Sequence, residues 1–536
     1  MPYELQRTRI RAPRKHGEAV IVPPFAAVPR LLADQREALG GAGYDVQGLP
    51  LARLSEQARR ALLEEARRYS TAYRDVVLPA DAGRWPLVLA GHQPQLFHPG
   101  VWFKDFALAA LGRGLGAVAV NLLVDNDIVQ SVALRVPGGD SALPRIESIA
   151  LDQPAEAIPY EERAVIDGRL FASFGRRVAE HGGRHLPAPL IGRLWPLAQE
   201  AARRSANLGR CLAEARHRLE EQWGLQTLEV PLSVVCRGAA FLRFACHVLA
   251  HLPRFRDLHN ACLAEYRRVH RVRSRSHPVP DLAADGSWRE APFWVWTDRS
   301  PTRRHLFVRD TGGGLELSDR AGTELRLALS PTSDAGPAVE QLTAWSDAGV
   351  RLRPRALITT MFARLVLGDL FMHGIGGAKY DQLTDLIVER FFGFRPPAFL
   401  TLSATALLFE DRTPQLQQQL REARQLLREL RFHPERHVAA ATELAALIAE
   451  KQQWVQRQPP RGQRLVRHRA LERINAALQP AVEENRRQLA TVERDVAETL
   501  RGAALAASRE FSFCLFSEEK LPALLLDLSR SAATLV

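Results

Sequence analysis

The chain has 536 residues, a formal net charge of +12 and a pI near 10.0. That length supports a large buried core and more than one domain. No run approaches the roughly 18 uninterrupted apolar residues of a membrane span, and the charged N-terminal stretch lacks the apolar segment of a signal peptide.

Only five of the 72 basic residues are lysine (Lys15, Lys104, Lys379, Lys451 and Lys520). Many arginines stand beside glutamate at helical spacing, where they form ordinary solvated faces. A basic surface suits nucleotides, carboxylates or nucleic acid without choosing among them. Nucleic acid is disfavoured, because no zinc spacing, helix-turn-helix or aromatic–basic ribbon supports it. Five cysteines in no CxxC arrangement argue against a disulfide framework and a zinc site. A reducing compartment and a cytoplasmic, membrane-free protein follow as expectations.

In chain order, residues 1–30 are proline-rich and read as irregular, and residues 31–39 and 51–73 read as helices. The stretch 86–136 carries the strongest pattern. Leu87 to Ala90 is an apolar run that ends at Gly91-His92-Gln93-Pro94. Apolar residues at helical spacing follow (Val101, Phe103, Phe106, Ala107, Ala110, Leu111). A second apolar run, 117–124, stops at Asp125-Asn126-Asp127. That pattern predicts strand, loop, crossover helix and parallel strand, with both polar clusters at the carboxyl ends of strands, where open parallel sheets bind ligands. Residues 137–195 hold short amphipathic pieces, 194–222 one long helix, and 228–236 a strand. Helices are expected over 239–252 and 260–269. After the basic loop 270–280 the pattern turns to β. Residues 293–296 and 305–308 flank a Ser-Pro turn, and 315–329 forms a second hairpin, giving a small antiparallel insertion. From Thr413 apolar residues follow four- and three-residue steps (Leu416, Leu420, Ala423, Leu427, Leu430), and Leu471, Leu478, Val482, Leu489, Val492 and Val496 fit the same frame. A helical coiled-coil hairpin is expected, its arms separated by 458–462 and with Asn475 and Asn485 at seam positions. Residues 511–516 read as a final strand.

Several residues could carry chemistry. His92, Gln93 and His98 precede a helix, where an imidazole and an amide suit phosphate or carboxylate oxygens, or where the histidine simply caps. Lys104 opposes the helix dipole and calls for an anionic ligand or a carboxylate partner. Asp125 and Asp127 can hold Mg²⁺, act as base, bind an amine, or close a turn. Gly374, Gly376 and Gly377 allow close backbone approach, and Lys379, Tyr380 and Asp381 add a cation, a hydroxyl and an anion.

Taken together these stretches resemble the bacillithiol biosynthesis cysteine-adding enzyme family, as a divergent member. In that family a strand opens into a glycine–glutamine loop closed by Gly-Pro, with a lysine in the following helix. Gly91, Gln93, Leu96, Gly100 and Lys104 fit that frame, Val101 standing for the proline. Val124-Asp125-Asn126-Asp127 stands in place of the family's acidic cluster, and the stretch from His373 to Tyr380 echoes its later glycine motif. The resemblance implies an α/β fold: a Rossmann-like parallel core over 81–410, with insertions at about 137–195 and 270–330. Residues 1–80 would pack on it, a coiled coil over 411–505 would serve homodimerisation, and 506–536 would return to the core. It also implies condensation of cysteine with glucosaminyl-malate to form an amide. In that reading His92, Asp125, Asp127, Lys379 and Asp381 are catalytic. Gly91, Gln93, His98, Gly100, Lys104, Gly376, Gly377 and Tyr380 bind substrate or nucleotide. ATP is chemically expected, because a carboxylate needs activation before it forms an amide, and Mg²⁺ would accompany it at Asp125 and Asp127. Two further readings stand beside this one: a non-catalytic coiled-coil scaffold with a relict core, and group transfer on another anionic metabolite.

Overall fold

The strand–helix–strand unit expected around residue 90 lies in the middle of a six-stranded sheet. The computed structural model describes residues 3, 5, 7, 10–40, 43–78, 81–140, 143–438, 443–458 and 460–533. Its strands are β1 (Glu18–Val22), β2 (Leu87–His92), β3 (Val118–Leu123), β4 (Ala133–Asp140), β5 (Leu143–Ala150), β6 (Leu228–Pro231) and β7 (Ala284–Asp285). They continue with β8 (Trp288–Thr297), β9 (Ser300–Asp310), β10 (Leu315–Ser318), β11 (Glu324–Leu327), β12 (Val350–Pro354), β13 (Leu370–His373) and β14 (Phe399–Thr405). The main sheet runs β1-β14-β13-β2-β3-β6. All its pairs are parallel except β1 with β14. Strands β2 and β3 are apolar almost throughout because helices cover both faces of a parallel sheet. The carboxyl ends of β2, β3, β6, β13 and β14 therefore share one rim.

The crossover helix, Pro99–Leu115, begins at an N-cap His98 with proline at its first position and ends at Gly116, whose φ of 58° is left-handed. Trp102, Phe103 and Phe106 are buried in it, each worth about 1.5–3 kcal/mol of transfer free energy. Phe513, from the end of the chain, packs its ring 4.3 Å from Trp102 and donates its N–H to the Phe97 carbonyl at 2.9 Å.

A second sheet, β11-β10-β9-β8-β12 with β7 on β8, is antiparallel throughout. It realises the β insertion and adds β12 to it. The turn between β8 and β9 falls at Asp298-Arg299, so Ser300-Pro301 is strand and not the turn.

Other expectations change. Residues 18–22 form an edge strand where an irregular segment was expected, and β4 pairs with β5 at the start of the expected insertion 137–195. The long helix over 194–222 is two helices, Ile191–Arg204 and Leu208–Glu221, because Asn207 starts the second as its cap. Strand β6 stops at Pro231 and a single helical turn, Leu232–Val235, follows. The return segment is a 3₁₀ turn, Phe513–Leu515, rather than a strand, and the helix Lys520–Ala533 comes after it.

The chain divides into two compact units. One comprises Met1–Val136, Ser148–Ala406 and Arg509–Val536, the other Pro137–Glu147 and Leu407–Ser508. In the second unit the helices Thr413–Phe432 and Arg464–Ala506 pack together, with Ala445–Gln456 between them in sequence. Arg424 Nε meets Glu493 at 2.8 Å and Gln479 donates to the Leu430 carbonyl at 3.1 Å, so the pair is antiparallel. Leu416, Leu420, Ala423, Leu430, Ile474, Leu478 and Val482 are buried between them. The predicted frame drifts beyond Val482. Asn485 is exposed and Val492 is 48% exposed, while Arg486 and Glu493 turn inward. A straight helix slips ~20° per heptad against a strict seven-residue repeat. Within the expected separator 458–462, Pro459 lies outside the described residues. All five cysteines are buried and unpaired, and no helix among the described residues is long and apolar enough to cross a membrane.

Candidate functional site

Two consecutive residues at the end of β2 part company. The His92 side chain turns into the protein, 4% exposed, with Nε2 3.0 Å from Asp105 Oδ1 and 3.1 Å from Asn121 Nδ2. Asp105 also meets Arg216 Nη1 at 2.9 Å, and Arg216 binds Glu220 at 2.6 Å and Glu229. Trp102 Nε1 donates to Glu220 at 2.7 Å. Burial lowers the His92 pKa, against the pull of Asp105. Lys104 is 4% exposed and donates to the Gly91 carbonyl at 2.6 Å. Burial pushes its ammonium down to about 8. His92 and Lys104 therefore belong to packed ionic interior and not to an open site, which corrects their expected catalytic and binding roles. His98 caps its helix by accepting from the Gly100 N–H at 3.1 Å. Gly100 is dictated by close approach, since a Cβ there would stand 2.6 Å from the Ala404 carbonyl and against Arg509. Both residues serve the helix start rather than a ligand.

Gln93 points the other way, over the rim. Its Nε2 donates to Asp127 Oδ2 at 3.0 Å, so the two loops expected to share a cleft do share one. The cavity they border measures ≈ 350 Å³, at the small end of small-molecule sites. Asp127 is partly exposed and accepts from Arg303 Nη1 at 3.2 Å. Arg303 comes from β9 and Arg355 from the residue after β12, and their guanidinium carbons lie 4.8 and 4.4 Å from the ring centroid of Trp294 on β8. Such contacts contribute about 0.5–2 kcal/mol each and hold a planar cation in place. Arg355 Nη2 binds Glu290 Oε1 at 2.6 Å, and His305 Nδ1 meets the same oxygen at 2.5 Å. Burial alone would raise the Glu290 pKa, but His305 and Arg355 hold it down at about 2. The Nε atoms of Arg303 and Arg355 are buried and have no partner among the described residues. The Nε atoms of Arg74, Arg364 and Arg509 are in the same state.

Asp125 is not in this cavity. Its two oxygens accept from the N–H (2.9 Å) and the hydroxyl (2.5 Å) of Ser233. Burial, then the charge of Glu161, raises its pKa to about 7. Glu161 in turn holds the buried Arg353 through two hydrogen bonds, 2.9 and 2.7 Å. Asp125 and Asp127 thus face different donors, one of them cationic. Among the described residues no three His, Cys, Asp or Glu side chains stand grouped as metal ligands. The pair does not fit the expected Mg²⁺ site.

The glycine stretch divides as well. Asp381, 1% exposed, accepts from Thr360 (2.6 Å), Arg364 (2.6 Å) and His373 (2.8 Å). Burial would raise its pKa, but Arg364 and His373 hold it well below the usual carboxylate range. It is a structural anion rather than a catalytic one. Gly377 lies against His373, where a Cβ would come within 2.8 Å of Nδ1, while Gly376 faces open space. Lys379 is exposed and Tyr380 packs edge-on against His277, ring centroids 5.5 Å apart. None of these borders the Gln93–Asp127 cavity.

Trp294, Arg303 and His305 were not singled out as site residues by sequence. Alternation within β9 carried a signal, since Arg303 and His305 face opposite to the buried Leu306 and Val308. A larger cavity, ≈ 780 Å³, lies between the helix Leu51–Thr71 and residues 234–243. Its walls are mainly apolar, and Gln57, Glu65, Arg68, Arg237, Arg243 and Glu340 also line it. No model of a known protein family matches the sequence, and no characterised protein aligns with it significantly.

Proposed function

We propose that the protein is an amide-forming, ligase-type enzyme acting on a small anionic metabolite in the Gln93–Asp127 cavity. The observation that carries the proposal is the convergence of Asp127, two arginines stacked on Trp294, and His305 on one small cavity at the strand rim. Arg303 and Arg355 hold the carboxylate or phosphate of the acyl donor. Asp127, with Gln93 fixing its position, receives the amine. His305 stands at the mouth, 46% exposed by its side chain, and Glu290 on Nδ1 leaves Nε2 free to move a proton. Activation of the carboxylate is the chemistry ATP would supply. In this reading the parallel strands are a Rossmann-like core and the helical unit is a coiled coil that pairs two copies. The resemblance to the cysteine-adding family makes cysteine and glucosaminyl-malate the first substrates to try.

The test is thermal stabilisation by ATP, cysteine, glucosaminyl-malate and simple dicarboxylates. A ligand at a hundred times its Kd stabilises by about 2.7 kcal/mol. The proposal expects a shift in the wild type that Asp127→Asn and Arg355→Gln abolish. No response to any of these ligands, or the same response in the variants, overturns it.

A further inference from the structure

One histidine on the wall of the Gln93–Asp127 cavity takes no part in the proposed amide formation. His259 stands on the helix Leu252–His270, 4% exposed and one turn on from Phe255, and both line the cavity with the buried Leu282, Leu357 and Ile358. We infer that His259 is a ligand-binding residue whose Nε2 accepts a hydrogen bond, so that the site takes a small anion carrying an uncharged donor, a hydroxyl or an amide N–H, at its far end. This role rests on the cavity binding an anionic metabolite, as proposed.

The tautomer is dictated by two backbone groups. Asn260 Nδ2 donates to the Leu282 carbonyl at 3.0 Å, and Asn260 Oδ1 accepts from the Leu282 N–H at 2.9 Å. That pair fixes which end of the amide is oxygen. The same oxygen lies 3.0 Å from His259 Nδ1, and an amide oxygen only accepts, so Nδ1 carries the hydrogen. Burial lowers the His259 pKa, against the pull of the Asn260 hydrogen bond and with the help of the Arg355 charge. The ring is therefore neutral, and Nε2 keeps its lone pair.

Nothing among the described residues donates to that lone pair. Although unbonded, Nε2 is not enclosed, and the cavity is the space His259 lines. His92 and His217, as deeply buried, each use both ring nitrogens, His92 on the Gln93 carbonyl and Asp105, His217 on Tyr73 and Thr227. His247 also leaves a nitrogen, Nδ1, unbonded, but it does not border this cavity. An acceptor left unsatisfied in a buried wall costs stability, and a donor on the ligand offsets that cost. The charge of Arg355 reaches the ring and disfavours an ammonium there, while Arg303 and Arg355 offer the same cavity two guanidinium groups for an anion. Phe255, Leu282, Leu357 and Ile358 suit a short hydrocarbon joining the two ends.

Two measurements test this. In protein labelled with ¹⁵N-histidine, two-bond proton–nitrogen correlations at neutral pH are expected to show His259, the signal absent from His259→Gln, neutral with its hydrogen on Nδ1. The binding probes are the ω-hydroxy acids from glycolate to 5-hydroxypentanoate and their isosteres with methyl in place of hydroxyl, propanoate to hexanoate, titrated by calorimetry. At least one hydroxy acid is expected to bind about 5-fold or more tightly than its isostere. His259→Phe is expected to abolish that preference while still binding the alkanoates, and His259→Gln, which keeps an acceptor, to retain it. Arg355→Gln is expected to weaken both series alike. A hydrogen on Nε2, no preference in the wild type, or a preference that survives in His259→Phe overturns the inference and leaves the cavity reading standing. If neither series binds the wild type, the cavity reading itself fails, and the role of His259 falls with it.

Discussion

His92 and Gln93 are neighbours in sequence and belong to two different regions. The first sits in a closed ionic interior with Asp105, Asn121, Arg216, Glu220 and Glu229, and the second opens on a cavity with Asp127, Arg303 and Arg355. Both regions hold carboxylates, arginines and a histidine. They differ in what the charges face. In the interior Arg216 spends its guanidinium on three carboxylates, whereas Arg303 and Arg355 each keep a buried Nε without a partner. The same residue types therefore close an interior in one place and border a cavity in the other, and unpartnered buried atoms occur in both: Asn121 Oδ1, Glu220 Oε2 and Glu229 Oε2 in the interior, Arg303 and Arg355 Nε at the cavity.

Substitutions can break that contrast, and the largest effect belongs to the interior. Arg216→Met leaves Asp105 and Glu229 as buried, uncompensated charges, and should cost about 3–5 kcal/mol in urea unfolding. An unchanged midpoint would show that the interior is not held by this arginine. Gly100→Ala comes next, at about 1–3 kcal/mol, because the added carbon meets the Ala404 backbone.

Asp125 sharpens the comparison through pH. Its carboxyl, raised from the ordinary 3.8 to about 7, holds its proton more tightly folded than unfolded. The stability it contributes is therefore full below pH 3.8 and lost as pH rises towards 7. Relative to Asp125→Asn, the wild type should weaken over that window by at most about 1.4 kcal/mol per pH unit. A wild type that gains on the variant as pH rises would refute the assignment. The smallest stability effect is expected at the cavity. Asp127→Asn should change unfolding by less than about 1 kcal/mol while removing the ligand-induced shift. His92→Gln should do the reverse, lowering stability and leaving the shift in place.

Much of this arrangement could be read from residues close together in the chain. The apolar runs of β2 and β3, the punctuation at Gly91–Pro94 and the stop at Asp125–Asp127 placed two loops on one rim, and the Gln93–Asp127 hydrogen bond joins them. What could not be read was which side of the rim each side chain takes. Asp105 and Asn121, which draw His92 inward, are contributed by the crossover helix and by β3. The opposite wall comes from β8, β9 and the residue after β12, far along the chain, and long-range packing leaves no local periodicity. Asn485 failed for a different reason, as the seven-residue frame outran the helix's own pitch.

The pairing of β1 with β14 sets Glu18 opposite Thr405. On a ribosome adding about 5–20 residues each second, the first strand waits roughly 20–80 s for its mate. Through that interval a short apolar segment, Ala19 to Val22, is available to other nascent chains. Pro13 on one side and Pro23-Pro24 on the other cannot donate to a growing ladder, and they bracket the segment as natural guards against premature pairing.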